Sequence, residues 1–405
     1  MKNERTLSGR TKLLYEQDSY IHTFEATVID CKAFSSFARS KEINITDKDN
    51  SLLYAIELNQ TAFFPEGGGQ CSDTGYMNTS PVYDVFKEDG RVYHVTDCSY
   101  ELDETVSCRL DFEKRYSNMQ NHSGEHLVCG LINKLYGFDN VGFHLSGDLI
   151  TVDVNGVLTA EDFDRIELLA NQAIYENKSI TSVYPEESDR FEYRSKIDLE
   201  EEIRVVVIEG YDACACCAPH VKSTGEIGII KIIDFMNHRG GMRFSLKCGK
   251  LAYLELKQIY NQNKEIMGML SSKRSECAEA VARQCVQAKE SHEREIQLKK
   301  EIVNLYLKTL KDENIFFSST LDDVQVRTIV NETVKTTSGI VAGFIEQSDN
   351  SYRYIISKSE DCDINLKQFA KDMNLALNGR GGGSDKMFQG SVVASTKEIK
   401  AFLSK

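Results

Sequence analysis

KRYSNMQNHSGEHLVCGLINKLYG, residues 114–137, is the stretch on which the reading of the chain turns. It reads as a helix over 114–136 closed by Gly137, since glycine takes the left-handed conformation that ends helices at little cost. His122 and His126 stand four apart on it, so both rings fall on one face about one turn apart, which suits a shared metal ion. Further on, CACCAPH at 214–220 places Cys216 four residues before His220, in a turn tightened by Pro219. A β-branched run at 203–208 precedes it and reads as a buried strand. Imidazole nitrogen with thiolate sulfur favours zinc over magnesium or calcium. Three of the eight histidines fall in these two clusters. Cys214 and Cys217 compete with Cys216 for the sulfur position.

Working outward, four regions separate. Residues 1–111 show short β-like runs, with a strand at 52–58 and a hairpin over 82–95 turning at Asp89-Gly90, a favoured tight-turn pair. They read as a small, mostly antiparallel barrel. Residues 112–249 mix the histidine helix, a helix over 160–177 capped by Thr159, and strands at 203–208 and 227–233. Residues 250–312 hold no proline; Leu256, Ile259, Ile266 and Leu270 follow helical spacing, Ser271 and Ser272 offer a break, and Ile302, Leu305 and Thr309 form a second stripe. This is a helical hairpin arm. Residues 313–405 return to strands at 340–344 and 352–357, a helix over 365–378 and a glycine-rich loop at 379–383, an α/β domain. The fold class is α+β.

Bulk properties narrow the function. Hydrophobic residues make up 41% and charged residues 27%, ordinary for a water-soluble globular chain. No run reaches the roughly 18 apolar residues of a membrane span, and the basic N-terminus lacks an apolar core behind it, so the expected compartment is the cytoplasm, with no membrane partner. The 12 cysteines are irregularly spaced except for the cluster Cys214, Cys216 and Cys217, and most are expected to be reduced thiols. A net charge of -14 argues against nucleic-acid binding over the whole surface but leaves room for a local basic stripe.

HSGEH at 122–126 followed by CCAPHVKSTGEIG at 216–228 resembles the HxxxH…CxxxH zinc signature of alanyl-tRNA synthetase editing domains and of the free-standing AlaX trans-editing proteins. TAFFPEGGGQ at 61–70 is similar to the glycine motif of that family's N-terminal barrel, and GRGGGSDKMFQG at 379–390 to the glycine-rich motif of its DHH-associated C-terminal domain. The order matches the long AlaX form. One departure stands out: Ala218-Pro219 occupies the place of the family's usual Gly-Thr. The resemblance implies deacylation in trans of Ser-tRNA(Ala) or Gly-tRNA(Ala), and Zn2+ held by His122, His126, Cys216 and His220. It also implies contacts to the tRNA(Ala) acceptor end and elbow, and a homodimer through the arm or C-terminal domain.

Individual residues carry competing readings. Glu125, at i+3 from His122, is a candidate general base, or else a solvated carboxylate or one that supports a metal ligand from behind. Gln70 and the glycines before it allow close backbone approach to the acceptor end, or form a tight turn. Arg239 and Arg243 flank a flexible Gly240-Gly241 that suits phosphate, or a salt-bridged turn. Arg380 in its glycine loop suits RNA, or domain packing. Two other functions compete. HSGEH also fits the H-x-x-E-H pattern of a metallopeptidase, with a carboxylate as third ligand. A noncatalytic tRNA-binding protein with structural zinc would have a closed site. Threonine-specific tRNA is a neighbouring substrate, because the threonyl-tRNA synthetase editing domain shares the zinc signature.

Overall fold

The computed structural model describes residues 6–7, 11–41, 50–146, 149–185, 192–195, 203–310, 313–347 and 350–404. Residues 1–5 and the expected arm end at 312 lie outside them. The chain divides into two units, Met1–Gln262 and Asn263–Lys405.

In the first unit the histidine helix is Phe112–Tyr136. It starts two residues before the sequence reading places it, because the Asp111 carboxylate accepts a hydrogen bond from the Lys114 amide and caps the first turn. Gly137, at φ 71°, ends it by donating its amide to the Asn133 carbonyl. Residues 118–132 are all buried, so this helix is core on every side. A four-stranded antiparallel sheet packs against it in the order Asn140–Ser146, Leu149–Val154, Gly241–Cys248, Ile230–His238. Ala160–Glu176 covers the same core, started by a reciprocal capping box between Thr159 and Asp162. A smaller sheet joins Ile180–Val183, Val205–Ile208 and Asp212–Ala215. The strand expected at 227–233 begins at Ile230 instead, since Thr224–Ile227 forms a 3₁₀ turn and Gly228 sits at φ 85°.

Six strands form a closed barrel, in the order Thr23–Ala33, Tyr54–Leu58, Arg91–Thr96, Ser80–Glu88, Gly75–Met77, Thr105–Leu110. Strand residues Val28, Ile56 and Val85, with Phe63 from the segment after Tyr54–Leu58, make a separate apolar core. The strand expected from 52 starts at Tyr54 because Asn50–Leu52 is a 3₁₀ turn. Asp89 (φ 49°) and Gly90 (φ 76°) make the two-residue hairpin loop. Arg115, fully buried on the histidine helix, ties helix to barrel: it ion-pairs with Asp73 and donates to the carbonyl oxygens of Ala62 and Ser19.

Helix Gly249–Leu270 ends at Ser271 (φ 49°), and Cys277–Thr309 follows. On the second helix the buried side is set by Val303, with Ile302, Tyr306 and Leu307 packed around it, whereas Leu305 is exposed. The expected stripe of Ile302, Leu305 and Thr309 is therefore offset by about one residue. In the second unit a five-stranded sheet runs in the order Ile315–Ser318, Ile340–Glu346, Ser351–Lys358, Met387–Val393, Arg380–Gly383. Its first pair is parallel and the rest antiparallel. Helices Asp323–Thr333, Leu366–Ala376 and Thr396–Leu403 complete it. The segment expected as a glycine-rich loop at 379–383 is a strand on the sheet edge. Glycines carry no side-chain period, and here backbone pairing with Met387–Val393 alone defines the element. Among the described residues no helix is long and apolar enough to cross a membrane.

Candidate metal centre

The ligand atoms of His122, His126, Cys216 and His220 lie within 4.8 Å of one another. All three imidazoles are buried. Cys216 Sγ stands 3.6 Å from His122 Nε2 and 3.4 Å from His220 Nε2. Ligands held tetrahedrally around one zinc are roughly 3.3–3.8 Å apart, given zinc–nitrogen and zinc–sulfur bonds of about 2.0–2.3 Å. The donor set therefore fits zinc.

Each ring is fixed from behind. His122 Nδ1 lies 2.8 Å from Gln70 Oε1, and His220 Nδ1 lies 3.0 Å from Ser123 Oγ. His126 Nδ1 faces Asp212 Oδ2 at 3.4 Å, outside hydrogen-bond alignment. Asp212 is itself gripped by Arg194 through two contacts of 2.8 Å. Partners on Nδ1 leave Nε2 as the ligating nitrogen, the arrangement typical of metal-bound histidine. Burial opposes ionising Asp212, but His126 and Arg194 hold its carboxyl below the usual range. Burial likewise opposes a thiolate at Cys216, yet the His122 and His220 rings beside it hold that thiol well below its ordinary value. Burial pushes His220 down to about 3, so it is a neutral imidazole at pH 7. Burial opposes protonating His126 too, but the Asp212 carboxylate and the Cys216 thiol hold it well above the ordinary histidine value. Metal binding takes a thiolate with neutral imidazoles, so an incoming ion would displace that proton.

Cys214 is buried next to His126 and Asp212, while Cys217 is exposed. The grouping of His126, Asp212 and Cys214 shares a ligand with the first, and its carboxylate already serves Arg194, so it reads as support for the four-residue cluster.

Glu125 is buried, with Oε2 3.9 Å from His126 Nε2 and Oε1 bonded to the Asn140 amide. It is not a solvated carboxylate. Gln70 reaches the centre because the glycine turn before it is tight: Gly67 and Gln70 exchange backbone hydrogen bonds of 3.1 and 3.0 Å. The turn then pairs with the sheet, Leu145 N donating to Gly69 O at 2.8 Å. Gly69 has no room for a side chain, as a Cβ there would lie 2.5 Å from Phe143 Cδ1.

The proposed RNA-contacting arginines stand elsewhere. Arg239 (φ 46°) and Gly240 (φ 84°) form a two-residue hairpin turn, a tight connection where a flexible stretch was expected. Arg243 is engaged by Asp153 at 2.6 and 2.7 Å. Arg380 lies exposed on the edge strand of the second unit. Asp212, Ser123, Asn140 and Arg194 escaped the sequence reading. Ser123 adjoins His122 and Asp212 lies four before Cys216, but nothing in the spacing says which way either side chain turns.

Comparison with known proteins adds two findings. The family "Threonyl and Alanyl tRNA synthetase second additional domain" matches residues 203–244, which include Cys216 and His220. The chain is 26% identical over 405 residues to alanyl-tRNA editing protein AlaX-L of Pyrococcus horikoshii, covering 95% of this chain and 96% of that protein. It is 25% identical over 404 residues to alanyl-tRNA editing protein Aarsd1-B of Xenopus laevis, covering 96% of each. Alanine–tRNA ligase of Ignicoccus hospitalis is 33% identical over 247 residues, 57% of this chain and 25% of that enzyme. Over nearly its entire length, then, the chain resembles the long AlaX-type alanyl-tRNA editing proteins.

Proposed function

We propose that the chain is an aminoacyl-tRNA deacylase that hydrolyses the ester of mischarged tRNA(Ala), Ser-tRNA(Ala) first and Gly-tRNA(Ala) second, in the cytoplasm. The observation that carries this is the buried cluster of His122, His126, Cys216 and His220 in a chain that aligns end to end with editing proteins. Those four residues would hold Zn2+. When bound, the ion would position the aminoacyl end, and with one ligand exchanged it would polarise the ester carbonyl or a water. Gln70, Ser123 and Asp212 keep the imidazoles aimed. Glu125, buried beside His126 and held by Asn140, would take a proton from an attacking water. Arg239, Arg243 and Arg380 are carried as tRNA contacts, and dimerisation through the arm or the C-terminal domain belongs to the same reading.

Selectivity would follow from the serine hydroxyl. A site that hydrogen-bonds it leaves polar groups unpaired when alanine is bound, which favours rejection of the correct product. The expected outcome is rapid deacylation of Ser-tRNA(Ala) with Ala-tRNA(Ala) spared, measured on a panel that includes Ser-tRNA(Thr), with and without chelator. Equal hydrolysis of the serine and alanine esters above the spontaneous rate would overturn the reading. Four protein ligands also favour a second reading, a closed structural zinc in a noncatalytic tRNA-binding protein. In that case no member of the panel turns over, and chelation unfolds the first unit.

A further inference from the structure

The side chain of Gln70 is fully buried, yet its Nε2 has no hydrogen-bond partner among the described residues. Its other end is occupied, because Oε1 accepts from His122 Nδ1 at 2.8 Å. The orientation of the amide is fixed by the site's own chemistry. If His122 ligates through Nε2, its Nδ1 carries the proton, and only an oxygen can receive it. Flipping the amide would set two donors against each other. Gln70 therefore presents two N–H groups, in a water-poor interior, one side chain removed from the metal cluster.

An unpaired buried donor carries the full cost of its desolvation, so buried amides are ordinarily satisfied. The residues around Gln70 make its position costly to change. The tight Gly67–Gln70 turn, the Gly69–Leu145 backbone bond and the lack of space at Gly69 all hold it there. The donor is thus held rigidly in place, the condition for electrostatic catalysis.

We propose that Gln70 is a catalytic residue whose Nε2 donates to the carbonyl oxygen of the scissile ester as that oxygen becomes negative. The inference rests on the deacylase reading. In the step concerned, the water oxygen bonds to the ester carbonyl carbon while its proton passes to Glu125. The carbonyl π pair moves onto oxygen, and the Gln70 amide stabilises the charge. Collapse restores the carbonyl and breaks the bond to the ribose oxygen, which takes the proton from Glu125. Free amino acid and uncharged tRNA result.

The test compares Gln70→Glu, which keeps an acceptor for His122 but loses the donor, with Gln70→Met, which loses both. Deacylation of Ser-tRNA(Ala) is measured beside zinc affinity by chelator competition. Both variants are expected to lose about a hundredfold or more in kcat with little change in KM, and Gln70→Glu is expected to keep its zinc affinity. A kcat within about threefold of wild type in either variant at full zinc occupancy overturns the proposal. So does a loss in both variants that saturating zinc restores, which would make Gln70 a positioning residue only. A wild-type chain inactive on every mischarged tRNA overturns the deacylase reading itself, and this proposal with it. Should the variants not fold, the wild-type crystal structure with a non-hydrolysable seryl-adenosine amide decides. Nε2 within hydrogen-bond distance of the amide carbonyl oxygen supports the proposal, and Nε2 bonded only to water or protein overturns it.

Discussion

At the residue scale, the metal cluster depends on groups that do not touch the metal position. Asp212 reaches His126, and Arg194 holds Asp212 from the other side. Asp212→Asn keeps the shape but loses the charge that favours the right tautomer, so zinc affinity should fall about 10–100-fold by chelator competition. Cys216→Ala should lose more, since it removes a ligand. His94 gives a pH prediction well away from the metal. It is fully buried in the barrel, with Nδ1 2.9 Å from the Ile56 carbonyl and Nε2 2.8 Å from Thr61 Oγ1. Burial lowers its pKa to about 4. Above pH 6.5 it is neutral in both folded and unfolded chains and adds no pH dependence. As pH falls from about 6.5 to 4 the unfolded chain takes up a proton that the folded one refuses, and about 3 kcal/mol of stability is lost. Urea unfolding from pH 7 to 4.5 should show this slope in wild type and a shallower one in His94→Gln.

At the element scale, the glycine turn separates two kinds of glycine. A Cβ on Gly67 meets nothing closer than 3.8 Å, so Gly67→Ala should leave stability within about 0.5 kcal/mol. Gly69 sits at φ 82°, and a Cβ there would clash with both the ring and the carbonyl of Phe143. Gly69→Ala should cost about 1–3 kcal/mol in urea unfolding and weaken zinc binding through Gln70. These elements also mark how far the sequence could be read. The histidine helix and Ala160–Glu176 were legible because caps and left-handed stops are local chemistry. Arg380–Gly383 was not, since a glycine run gives no periodicity and its partner strand lies further along the chain. Within the cluster, the three histidines that the structure brings together could be named from residue types at fixed spacing, whereas spacing left Cys214 and Cys217 competing with Cys216 for the sulfur position. Their partners Gln70, Ser123 and Asp212 depend on register between distant strands and on rotamers, which spacing does not encode.

At the scale of the whole molecule, the two units have separate apolar cores. One set centres on Met119, Phe244 and the barrel's Ile56, the other on Phe344, Tyr354 and Val330. All four candidate ligands belong to the first. Calorimetry should therefore show two transitions, and a chelator should lower only the one that belongs to Met1–Gln262, because removing a ligand of the folded state destabilises only the unit that binds it. A chelator that shifts both transitions equally would mean that the units unfold as one.

The backbone bond between Gly69 and Leu145 bears on how such a centre could be inherited or transplanted. Residues 112–249 contain all four candidate metal ligands and look like a portable module. Moved without the barrel, they would leave Gln70 behind, uncover one side of strand Asn140–Ser146, and lose the Asp73 partner of the buried Arg115. The smallest piece that carries the whole candidate centre is the barrel together with residues 112–249, since Cys216 and His220 lie beyond the histidine helix, so gene fusions and deletions that preserve this chemistry should break the chain after 249 and spare the join at 111.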